Sequence, residues 1–133
     1  MRIIGIEDDT VKDPCMITPF FLVHVVAGYW LASVIKTIFP SIKNVLLWVI
    51  ILRTVYEIKD YYVNYVLKYN TIYTNSSWWN SIGDTIAAVI GYYIYEQTPL
   101  SLLISTVIYL IVCAIGWGSI YILQANNSTH SIT

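Results

Sequence analysis

Charge is scarce in this chain. Only 11% of its 133 residues are Asp, Glu, Lys or Arg, against about a quarter in soluble globular domains. With 57% hydrophobic residues, that balance excludes an ordinary soluble domain and points to an integral membrane protein. Basic clusters are missing too: seven basic and eight acidic residues give a net charge of -1, so a nucleic-acid surface is not expected. The two cysteines, Cys15 and Cys113, have neither metal-ligand spacing nor a disulfide framework. Glu7, Asp8 and Asp9 lack the glycine and spacing of a calcium loop. There is no His-Glu-xx-His, no nucleophile motif and no internal repeat, and His130 stands in the tail. Residues 1–17 lack a basic flank followed by an apolar run, so no cleavable signal is expected and the first span serves as its own insertion signal.

What the chain does have is long apolar runs. Phe20 to Phe39, introduced by Thr18 and Pro19 as cap and first-turn proline and stopped by Pro40, is long enough to cross a hydrocarbon core of about 30 Å at ~1.5 Å per residue. Leu100 to Leu123, again preceded by a Thr-Pro pair, runs without a charge. Two further segments become long enough only if polar residues are admitted. The expectation is an all-α integral membrane bundle of four transmembrane helices near residues 19–39, 42–68, 77–97 and 99–123. These form one domain over 18–124, between polar tails at 1–17 and 125–133. Four spans put both termini on one side. Lys36 and Lys43 beside the first loop, and sequons at Asn75, Asn126 and Asn127, favour the non-cytoplasmic side.

The polar residues inside these spans are the informative ones, because an ionisable group in hydrocarbon needs a partner or a function. Asn80 and Asp84, four apart, share a helical face at the head of the third segment, just inside Trp78 and Trp79. Arg53, Glu57, Asp60 and Asn64 form a continuous face on the second. His24 begins a stripe with Gly28 and Ala32 on the first, and Ala87, Ala88 and Gly91 continue the Asp84 face. Such small side chains let helices approach closely beside the polar groups. Three carboxylates against one arginine leave an excess of two negative charges that low-dielectric surroundings must neutralise. Protonation, a divalent cation or a cationic substrate would each do so, and oxygen-rich ligands favour Mg, Ca or Mn.

As a set, His24-xxx-Gly28, Tyr56-Glu57-xx-Asp60 and Tyr73-xxx-Ser77-xx-Asn80-Ser81-xx-Asp84 resemble an uncharacterised family of small bacterial integral membrane proteins. More distantly, the last motif with Gly91 is similar to VanZ-like membrane proteins. The resemblance covers about Thr18 to Tyr95 and implies a shared fold and polar cluster. Where that family tends to have Trp-Glu-xx-Glu-Asn, this chain has Tyr56 to Tyr61. Where it tends to have Gly-Asp-Ser, Asn75 to Ser77 stand instead.

The favoured functional reading is a structural or accessory membrane component whose polar network sets helix register, in a lipid bilayer and beside a membrane-protein partner. An enzyme on a lipid or lipid-linked substrate is the first alternative. There His24, Glu57 and Asp84 are the catalytic candidates, Arg53 and Asn80 the substrate-binding ones, and Glu57, Asp60 and Asp84 the metal ligands. A proton or ion pathway is the second, and it requires a homo-oligomer to enclose a pore.

Overall fold

The computed structural model describes residues 2–4, 15–18, 20–63 and 78–130. They form a two-stranded ribbon, β1 (Arg2–Ile4) and β2 (Cys15–Ile17), and four helices, α1 (Phe21–Ile38), α2 (Val45–Tyr61), α3 (Trp78–Gln97) and α4 (Leu102–His130). The connections at 39–44 and 98–101 are short, which makes α1 antiparallel to α2 and α3 antiparallel to α4. Both of these turns lie at one end of the bundle. The opposite end carries the ribbon, the start of α1, the end of α2 and the start of α3.

The central contact is α1 against α3, and glycine makes it possible. A Cβ on Gly28 would stand 2.5 Å from the Ala88 Cα, and one on Gly91 would stand 2.7 Å from the Tyr29 nitrogen. Backbone therefore lies on backbone, and the small-residue stripes expected from sequence are the two sides of this seam. Ala32, Ile35, Val45, Val49, Ala88 and Tyr95 make the buried core beside it. Helix α4 packs on another face of α1. There Trp30 Nε1 donates to Thr106 Oγ1 at 3.0 Å, the Trp30 and Tyr109 rings stack at 4.8 Å, and the buried Ser33 and Ser105 hydroxyls lie 3.0 Å apart. Tyr29 pins the second turn, its hydroxyl donating to the Thr98 carbonyl at 2.7 Å and accepting from Leu100 N–H at 2.9 Å.

Several expected boundaries move. Thr18 does not cap α1 with its side chain; its carbonyl accepts from Phe21 N–H at 2.9 Å, and Phe20 is the cap residue. Helix α2 starts at Val45, not 42, because the Asn44 side chain accepts from Leu47 N–H at 3.2 Å and ends the preceding turn. Its expected continuation through Asn64 to 68 lies outside the described residues. Thr98 closes α3 instead of opening α4: its N–H and hydroxyl both donate to the Ile94 carbonyl at 3.0 Å. The α4 cap is Ser101, whose hydroxyl accepts from Ile104 N–H at 3.4 Å. Helix α4 then continues to His130, so residues 125–130, expected as a polar tail with sequons at Asn126 and Asn127, are helical. The N-terminal tail is also not wholly solvated. β1 and β2 pair in parallel, Arg2 opposite Cys15 and Ile4 opposite Ile17, and Cys15 is fully buried. Asn75 and the acids Glu7, Asp8, Asp9 and Asp13 lie outside the described residues.

Two helices, over Phe21–Ile38 and Leu102–Ser119, are long and apolar enough to cross a membrane. Of those windows 22% and 6% are buried; α4 turns Leu103, Ile104, Val107, Leu110 and Ile111 outward, whereas most α1 side chains are half-buried and its exposed large apolar residues are Leu22 and Ile38, near its ends. The shorter α2 and the more polar α3 also turn apolar residues outward, among them Ile82, Ile86, Ile90 and Ile94, one per turn along α3.

The glycine seam is testable. Gly28→Ala should lower stability by about 1–3 kcal/mol, since Ala88 backbone cannot yield as a flexible side chain would. Gly118→Ala, whose Cβ meets nothing within 4 Å, should be neutral or slightly stabilising. Thermal unfolding in detergent reads both, and equal behaviour would contradict the seam.

Candidate functional site

Helical periodicity brings the polar residues together at the ribbon end. His24 lies one turn into α1; Arg53 and Glu57 stand four apart near the end of α2; Asn80, Ser81 and Asp84 occupy the first two turns of α3. Arg53 and Asp84 are only 5% and 3% exposed. One carboxylate oxygen is the hub: Asp84 Oδ2 accepts from Asn80 Nδ2 at 3.0 Å and from Arg53 Nη2 at 3.1 Å, and His24 Nε2 lies 3.2 Å from it. Arg53 Nη2 also pairs with Glu57 Oε1, and Glu57 Oε2 accepts from the Ser81 hydroxyl at 2.6 Å. The arginine is further placed over the Tyr56 ring, 5.2 Å from its centre.

Five of the six expected residues therefore meet. Asp60 does not join them: it pairs with Lys59 at 2.6 Å, and Lys59 lies 3.8 Å above Tyr56 on the outer side of α2. The expected excess of two negative charges is corrected accordingly. With Asp60 balanced by Lys59, Glu57 and Asp84 face Arg53, an excess of one when His24 is neutral and none when it is protonated. Ser81 was not among the sequence candidates. It sits about 100° around the helix from Asn80, off the face that the Asn80–Asp84 spacing defines, and only the position of α2 reveals its role.

Among the described residues no group of three or more His, Cys, Asp or Glu side chains is placed to hold a metal ion. The two carboxylates that do meet share the Arg53 guanidinium. Arg53 Nε and Trp79 Nε1 are buried and meet no acceptor among the described residues. Comparison of the chain with known protein families, curated proteins and solved structures finds no match.

Removing the shared cation should expose the balance. Arg53→Met leaves Glu57 and Asp84 buried without a counter-charge and should cost about 3–5 kcal/mol. Adding Asp84→Asn to that variant should restore part of the loss. If the double variant is no more stable than Arg53→Met, the two residues are not energetically coupled.

Proposed function

We propose that this chain is a four-span membrane protein acting as a non-enzymatic structural or accessory component of the bilayer, with the polar cluster as the lock that sets the register of α1, α2 and α3. The observation that carries the reading is the convergence on Asp84 Oδ2. Donors from α2 and α3 meet on one buried oxygen with the α1 imidazole of His24 beside it, so the cluster's polar groups are turned inward on the helices. Outward apolar faces on α2, α3 and α4, with the long apolar run of α1, support four spans, and Arg53, Glu57 and Asp84 face the bundle interior, where hydrocarbon tolerates them. Both ends of the chain then lie on one side. Lys36 and Lys43 near the opposite turns place those turns in the cytoplasm under the positive-inside rule. The component reading implies a membrane-protein partner alongside lipid.

The test is Asp84→Asn. It retains size and hydrogen bonding while leaving Arg53 paired with Glu57, a balanced pair, so its unfolding midpoint in detergent should match or exceed that of the unaltered protein. Millimolar Mg, Ca or Mn should move neither midpoint. Stabilisation of the unaltered protein alone, about 2.7 kcal/mol at a hundredfold excess over the dissociation constant, would replace the lock with a cation site and revive the enzyme alternative.

A further inference from the structure

Parallel strands are ordinarily covered on both faces, and two strands of three residues are too small to be stable alone. In this ribbon only the inner strand is covered. β2 lies on helix backbone: a Cβ on Gly83 of α3 would stand 2.8 Å from the Met16 carbonyl carbon, and Cys15 is fully buried. β1 lies outside β2, and among the described residues it has no second neighbouring strand. Ile3 and Ile4 are successive residues of β1, so their side chains point to opposite faces, yet they are 67% and 69% exposed. The rest of the fold therefore covers neither isoleucine.

The strand register fixes where this apolar pair sits. Arg2 pairs with Cys15 and Ile4 with Ile17, so Ile3 stands opposite Met16, one strand spacing of about 4.8 Å away. Met16 rests on Gly83, five residues into α3 from Trp78, or about 7 Å along the helix. The ribbon thus lies alongside the first turns of α3 and not beyond its end. Other large apolar and aromatic side chains are exposed at the same end of the bundle: Leu22 at the start of α1, Ile58 and Tyr61 at the end of α2, and Trp78 itself. With Trp78 in the interfacial aromatic belt, a level about 7 Å farther in is the boundary between headgroups and acyl chains. Interfacial elements bury their apolar faces at that depth, about 5–10 Å. An uncovered strand edge is tolerated at that boundary, where water reaches it, but not in the hydrocarbon itself.

We infer that β1 is an interfacial anchor: Ile3 and Ile4 insert at the boundary between headgroups and acyl chains of the leaflet at the ribbon end, and lipid covers the strand that the bundle leaves open. The inference rests on the four-span reading and adds to it a lipid contact outside the spans.

Nitroxide labels on Ile3→Cys and Ile4→Cys, with the protein in phosphatidylcholine vesicles, read these surroundings through collisions with oxygen, which concentrates in lipid, and with a water-soluble nickel chelate. The background carries Cys113→Ser and Cys15→Ser, the latter keeping a hydroxyl that can donate to the Ile17 carbonyl as the thiol does. Leu110→Cys, on the outward face midway along α4, and Lys43→Cys, in the exposed turn at the other end, are the lipid and water references. The oxygen-to-nickel ratio at both isoleucine positions should fall between the two references. A ratio equal to that of Lys43→Cys would place β1 in water and overturn the inference. Shielding from both relaxants would place protein over β1, a second copy included, and overturn it equally. A Leu110→Cys label in water would reject the four-span reading and the inference with it, whereas Leu110→Cys in lipid with both isoleucine positions in water rejects the inference alone. Where the substitutions prevent folding, the unaltered protein decides. Phosphatidylcholine with a photoreactive diazirine near its acyl carbonyls should attach to residues 2–4, and the same lipid with the diazirine at the chain ends should attach to α4 and not to residues 2–4. Absence of the first adduct would overturn the inference.

Discussion

A single buried carboxylate oxygen, Asp84 Oδ2, is the point at which three helices of this structure meet. Asn80 and Arg53 donate to it at 3.0 and 3.1 Å and His24 lies 3.2 Å away, and hydrogen bonds of that length tolerate little displacement before they fail. A slip of α1 or α2 by one residue, about 1.5 Å along the axis, would strand a charged group in surroundings where an uncompensated charge costs several kcal/mol. Apolar seams alone would not punish such a slip, because lipid tails and leucine side chains are nearly equivalent solvents. On the reading proposed above, the cluster supplies specificity more than net stability.

That geometry is reachable only because the backbones come so close. Gly28 opposite Ala88, and Gly91 opposite Tyr29, bring α1 against α3 without intervening side chains, and one turn farther toward the ribbon the imidazole of His24 meets Asp84. Helix α2 buries Val45 and Val49 in the core and adds polar contacts nearer the ribbon, through Arg53 to Asp84 and through Glu57 to Ser81. The same residues that depress the apolarity of α2 and α3 are the ones that bind them to the bundle. Their polar character thus coexists with outer faces rich in isoleucine, leucine and valine.

Much of this was legible in the chain itself. The four helices, the close seam through Gly28, Ala32, Ala88 and Gly91, and the meeting of His24, Arg53, Glu57, Asn80 and Asp84 follow from 3.6-residue periodicity and from the cost of ionisable groups in an apolar segment. Asp60 was misplaced for an instructive reason. Periodicity puts it seven residues from Arg53, on a shared face, yet the neighbouring Lys59 offers an opposite charge that no helical wheel weighs. Thr98 likewise carries a helix-cap signature that fits two helices equally well, and it ends α3 instead of starting α4.

What the sequence by itself determined is the set of helical faces, since each is a property of one segment and its period. What only the tertiary structure decided is everything that depends on two segments at once. Ser81 reaches Glu57 because α2 happens to lie beside its flank of α3. The ribbon forms because a parallel pair joins residues thirteen apart, Arg2 with Cys15, and finds its seat on Gly83. Segments of three residues carry no period long enough to signal a strand, and the small-residue gap that accepts Met16 exists only once α3 is folded.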